Sequence, residues 1–206
     1  MNSTGRTALG VVLLLAAGPA AAQRAFPVGH VASGTLSFDA KATLGDFTGT
    51  TNTVTGAMTD ATELRGVRGW VEAPVATLKT GNGLRDKDLL KAMEAEAHPV
   101  IRFDLESVNL QSESADSAQV TLFGSFTIHG TKREVAVPAK LYYRTEGVRV
   151  KSDIPMNVKD YGVTRLSKML GAFKMNQNIM VHIDLVFAPG EAPAGAAPGA
   201  TQPDAD

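Results

Sequence analysis

The chain has 206 residues, 44% of them hydrophobic and 20% charged, with no cysteine. That length suits one ordinary domain, and that apolar share supplies a core, which excludes disorder of the whole chain. Twenty basic residues against 21 acidic ones give a net charge of −1, so no basic field points to nucleic acid, and the lack of cysteine excludes disulfides, thiol nucleophiles and thiolate metal sites.

The first feature along the chain is an address. Arg6 gives a small positive region, Ala8 to Ala17 form an apolar stretch, and Gly18-Pro19 break it; Ala20-Ala21-Ala22 then offer a small-residue cleavage site that leaves Gln23 as the mature start. The apolar stretch is about half as long as the roughly twenty residues a spanning helix needs. Residues 1–22 are therefore expected to be a cleaved signal peptide. The mature chain is expected in the periplasm or secreted, with no integral membrane segment.

Period-two alternation dominates the body, residues 23–188. Leu36, Phe38, Ala40, Ala42 and Leu44 alternate with polar residues; Gly45 and Gly49 read as turn residues; Val54, Gly56 and Met58 continue more weakly, and Val67 to Glu72 run on to Pro74. Leu84 to Ala97 interrupt the strands with helical composition: Leu89, Leu90, Met93 and Ala97 form one stripe, Asp86 is the predicted N-cap, and His98-Pro99 stop the helix. Strands resume at Ile101–Leu105, Val120–Ile128, Val135–Leu141 and Val148–Ile154. A second insertion, 157–178, carries Lys159, Arg165, Lys168 and Lys174 against Asp160 alone, before the eighth strand at Ile179–Phe187. Residues 189–206 hold four Pro, three Gly and six Ala with no periodic apolar face, and read as a disordered tail.

The connections at His129–Lys132 and Thr145–Gly147 are hairpin-length, which makes sequential strands antiparallel neighbours. Eight such strands can close on themselves and remove exposed edges, so an all-β up-and-down barrel of eight antiparallel strands, with a short helix inserted before the fourth, is the economical arrangement. A two-sheet sandwich satisfies the same alternation. Ala40, Ala42, Gly56, Gly69, Gly124 and Ala139 are small residues at expected inward positions, which predicts free volume inside.

Several segments, in order, resemble the YceI-like family of exported polyisoprenoid-binding proteins. Leu78-Lys79-Thr80-Gly81-Asn82, Arg85-Asp86, Leu89 and His98-Pro99-Val100-Ile101-Arg102-Phe103 are similar to the family's "TGN…RD" turn, short helix and following strand. Gly124 to Arg133 is similar to its "G.LTIHG" hairpin, and Asp160-Tyr161-Gly162 to its aromatic-Gly pair. The chain departs from the family at Met93, where an aromatic is common, and in lacking the opening "D..HS". The resemblance implies a lipocalin-like barrel whose interior takes a long isoprenoid-type or other apolar lipid, and implies no cofactor. Phe38, Trp70, Leu89, Met93, Phe103, Phe126, Leu141 and Val150 are the expected apolar lining. Arg85, Arg165 and Lys168 are candidates to meet a head group, although the favoured reading of Arg85 and Asp86 is a turn pin and a helix cap. A homodimer is left open.

No catalytic or metal centre is expected. The four histidines, His30, His98, His129 and His182, show no metal-ligand spacing, and no G-x-S-x-G, P-loop or dinucleotide-binding glycine pattern occurs. The alternatives are an enzyme acting on an apolar substrate in the same cavity and a ligand-free structural or stress-associated barrel that is packed solid.

Overall fold

The computed structural model describes Phe26 and residues 28–59, 61–164, 167–168 and 173–190. The predicted signal segment 1–22, Arg165 and residues 191–206 of the predicted tail lie outside the described residues. Ten strands follow in chain order: β1 (Gly29–Ala42), β2 (Phe47–Thr51), β3 (Thr55–Met58), β4 (Gly69–Pro74), β5 (Val100–Glu113), β6 (Ser117–Ile128), β7 (Thr131–Arg144), β8 (Gly147–Asn157), β9 (Ser167–Lys168) and β10 (Phe173–Pro189). One α-helix, α1 (Gly83–Ala92), sits between β4 and β5.

The strands form one antiparallel sheet that closes. From β3 each strand pairs with the next through β8, β8 pairs with β10, and β10 returns to β1 from Gly29↔Pro189 to Ala42↔Met175. β2 and β3 pair in turn with two stretches of β1, so together they fill one position in a ring of eight. β9 is a two-residue extension against the start of β10. The sandwich alternative is thereby excluded. β10 also runs to Pro189, the first residue of the predicted tail. β2 occupies a stretch that polarity marked as turn: Gly45 does turn, but Gly49 lies in the strand beneath the Phe38 ring, where a Cβ would collide with that ring.

Alternation assigns the faces. Val71 pairs with Phe103 and Phe103 with Phe126, all pointing inward, while their neighbours Arg102 and Asp104 hydrogen-bond one another outside. Two apolar cores line the bore. One gathers Phe26, Val67, Val108, Val120 and Leu141; the other gathers Val75, Met93, Phe126, Ile128, Val137, Ile154 and Tyr161. The inward glycines do not make space as composition suggested. A Cβ on Gly56 would stand 2.5 Å from the Trp70 carbonyl oxygen, and one on Gly124 would strike the Asp104 carbonyl. These glycines mark close backbone approach.

The helix begins one residue earlier than predicted and ends five earlier, with a different cap. Asn82 Oδ1 accepts from the Leu84 and Arg85 amides, at 3.0 and 3.2 Å. Asp86 instead reaches back to accept from the Thr80 hydroxyl (2.6 Å) and amide (2.8 Å), fastening the turn before the helix. These bonds hold its carboxyl below the ordinary carboxylate range, the Thr80 hydroxyl contributing most. At the other end the Ala95 amide donates to Leu90 O at 3.0 Å and the Glu94 amide to Lys91 O at 3.3 Å, a Schellman ending with Glu94 at φ 45°, where glycine is usual.

Candidate functional site

The bore contains two cavities of unequal size. The larger, about 880 Å³, lies under α1 and is bounded by β1, β10 and the turn after β8; the smaller, about 130 Å³, lies towards the other core. Leu36, Ile101, Phe126 and Ile183 line both, so the two meet across the Phe126 ring, which rests 4.9 Å from that of Phe103. The larger volume falls within the range of pockets that hold small organic ligands, about 300–1,000 Å³.

Seven of the eight side chains chosen from sequence line this space. Phe38, Leu89 and Met93 border the large cavity, Phe103, Leu141 and Val150 the small one, and Phe126 both. Trp70 stands apart from the other seven. Its residue borders the small cavity along β4, but the indole turns to the outer face with Asp104, beneath the Arg102 guanidinium at 5.0 Å. Arg102 is held there by Glu72 at 2.5 Å and Asp104 at 2.7 Å, which raise its pKa above the ordinary value, Asp104 most.

The mouth of the large cavity is chemically distinct from its depth. Arg85, Lys87, Lys91 and Lys174 border it with one carboxylate, Asp88, beside two exposed leucines, Leu44 and Leu84. Arg85 does pin the preceding turn, donating to Thr80 O at 3.0 Å, and it also lies 4.3 Å above the Phe47 ring. Its Nε is buried with no hydrogen-bond partner. Of the other two head-group candidates, Arg165 lies outside the described residues, and Lys168 is placed only by its backbone in β9. Deeper in, Tyr161 lines the same cavity, and burial pushes its phenol above the ordinary pKa.

One grouping escaped the sequence. Glu94, His98 and His129 bring one ligand atom each to within 4.8 Å of one another. β5 pairs with β6 at Arg102↔Thr127, which carries the start of one strand alongside the end of the other and sets the His98 and His129 rings 5.0 Å apart, edge to face. The signal lay in that pairing, not in sequence spacing.

The YceI-like domain matches residues 29–187, nearly all of the described barrel. The chain belongs to the YceI-like family. No curated protein sequence matches it. Among solved structures, this YceI-like barrel is similar to Burkholderia cenocepacia BcnA at 13% identity, with a TM-score of 0.63 over 74% of this chain and 95% of that one. It is also similar to a polyisoprenoid-binding domain from Saccharophagus degradans implicated in plant cell wall breakdown, at 12% identity and a TM-score of 0.65, over 79% of this chain and 98% of that one. At those identities the likeness establishes a shared fold.

Proposed function

We propose that this YceI-like protein is an exported binding protein that carries a long isoprenoid-type lipid, its chain in the large cavity and its head group at the basic mouth. The observation that carries this reading is the cavity of about 880 Å³, apolar in depth and ringed by Arg85, Lys87, Lys91 and Lys174 at its opening. Each buried methylene contributes about 0.8 kcal/mol, so a five-carbon prenyl unit contributes roughly 4 kcal/mol gross. A few units offset an association cost of about 4–15 kcal/mol without any dedicated hydrogen bond. The cationic mouth favours a phosphate or diphosphate head group over a neutral one. The polyisoprenoid-binding domain among the structural neighbours lends support to the ligand class.

Two interior hydroxyls favour binding over catalysis because each is already committed to a hydrogen bond. Ser152, the hydroxyl facing the small cavity, donates to Pro138 O at 2.6 Å, and Thr51 at the large one shares a 2.7 Å hydrogen bond with Thr77. Native mass spectrometry of protein purified from its own source tests the reading. A non-covalent adduct of prenyl-lipid mass, exchangeable for added polyprenyl phosphate, is expected; bare polypeptide mass with no uptake of prenols, polyprenyl phosphates or quinone precursors overturns it. N-terminal sequencing of the same material tests export, with Gln23 expected as the first residue.

A further inference from the structure

We propose that Glu94, His98 and His129 form a binding site for one divalent transition-metal ion of the zinc class at the α1 end of the barrel. Two imidazoles and a carboxylate are a ligand set that zinc accepts, leaving a fourth position for water. Their ligand atoms lie within 4.8 Å of one another, and Glu94 Oε2 stands 3.6 Å from His129 Nε2. Bonds of about 2.0–2.1 Å to a tetrahedral ion set neighbouring ligand atoms roughly 3.3 Å apart, so small side-chain movements close the shell.

The state of His129 points to a cation. Its Nδ1 lies 3.3 Å from the Tyr161 carbonyl oxygen, and a carbonyl only accepts, so Nδ1 carries the proton. In the neutral ring the lone pair is then on Nε2, which is buried and has no hydrogen-bond partner among the described residues. Glu94 Oε2 lies beyond hydrogen-bonding range, so a neutral His129 faces a carboxylate across a gap that a metal ion would fill. A ring nitrogen held by a backbone carbonyl while the other is presented outward is the usual support for a metal-ligating histidine.

The backbone gives an independent reason. Glu94 and His129 are the non-glycine residues of positive φ among the described residues, at 45° and 50°. Glu94 occupies the position after a helix where glycine or asparagine is favoured, and His129 the first place of a two-residue hairpin loop where asparagine is favoured. Gly130 completes the arrangement: a Cβ there would stand 2.5 Å from His98 Cε1, so its absence lets that ring settle over the turn. Both costly positions thus bear metal-ligating side chains aimed at each other. An ion held there would tie together the end of α1, the start of β5 and the β6–β7 turn.

The test uses the mature full chain, stripped with EDTA and dialysed, titrated calorimetrically with zinc chloride and followed by cobalt absorption spectroscopy. One ion per chain is expected, with tetrahedral cobalt bands and a raised Tm. His129→Asn and Glu94→Gly place at each strained position a residue its backbone prefers, so both variants should fold, and each should lose affinity by about 100-fold, the upper end of what losing even an outer-shell partner costs. Glu94→Gln removes the charge at nearly constant size and should do the same, while His182→Gln should bind as the parent does. No zinc uptake by the stripped protein, or uptake that survives the substitutions at 94 and 129, overturns the proposal.

Discussion

The two ends of the bore are walled by the same alternating strands, yet one is filled and the other is open. At the narrow end Phe26, Val108, Val120 and Leu141 come from separate strands and the preceding segment to meet at the axis, leaving about 130 Å³. At the wide end the space is roofed by α1; its half-buried Leu89 and the buried Met93 that follows it border the space, and about 880 Å³ remains. Both ends obey the same inside-outside rule; the difference comes from what covers them. Side chains from facing strands that meet across the axis close the bore, whereas a helix laid over the rim does not.

The largest expected effect is at the filled end. Leu185, only 2% exposed, lines the narrow cavity, and Leu185→Ala should cost about 2–5 kcal/mol in urea unfolding. A loss below about 1 kcal/mol would mean that this end is as loosely filled as the other. Val181→Trp at the open end should have the opposite profile. It should shift stability by less than about 1 kcal/mol, because overpacking costs arise only where no space is free, while prenyl-lipid uptake in native mass spectrometry falls at least about tenfold. Retained uptake would place the lipid elsewhere.

Arg85→Gln sharpens the contrast between mouth and depth. Charge-assisted hydrogen bonds contribute about 1.5–3 kcal/mol when sheltered, and this rim is partly solvated, so polyprenyl phosphate binding should weaken about tenfold while the neutral polyprenol is unaffected. Equal weakening of both would make Arg85 a positioning group for the turn alone. A smaller effect is expected at the helix that roofs the open end. Asp86 titrates below its ordinary range in the folded chain, so its contribution is present above the unfolded value of 3.8 and lost as pH falls through the folded pKa. The stability difference between parent and Asp86→Asn should therefore shrink on acidification, as read from urea midpoints at several pH values.

The smallest effect belongs to the outer wall. His182 bonds Asp153 at 2.6 Å and Asp39 at 3.2 Å, and the Asp153 bond most of all raises its pKa above the ordinary 6.5. A raised histidine pKa stabilises the fold fully below the unfolded value, and that stabilisation is lost as pH rises through the folded one. His182→Gln should flatten a slight decline in urea midpoint between neutral and mildly alkaline pH; an unchanged slope would show that this exposed cluster contributes nothing.

The strand pattern was legible because alternation encodes which side of each strand faces inward, and Phe38, Phe103, Phe126, Leu141 and Val150 were found that way. The face of Trp70 was harder to read, since its neighbour Gly69 carries no side chain and left the alternation of β4 ambiguous. The size of the bore was not legible either. Gly56 and Gly124, two of the small residues that suggested volume, are crossing points, while the larger space lies under α1, whose placement on the rim no local pattern reports. Asn82 and Asp86 are both good cap residues, and their roles separate only in the contacts they make, Asn82 with the Leu84 and Arg85 amides and Asp86 with Thr80. The meeting of Glu94, His98 and His129 depends on strand register and on two left-handed turns, so spacing along the chain could not reveal it.

The seam between β1 and β10 has a kinetic consequence. It joins the first strand to the last, so the ring cannot shut until nearly the whole polypeptide is available, whereas the β5–β6 and β6–β7 hairpins need only adjacent sequence. Long-range pairing of this kind slows folding to roughly milliseconds or longer. Until the final strand docks, β1 and β8 stay bare along one margin, and a chain interrupted before residue 173 would keep that sticky margin permanently.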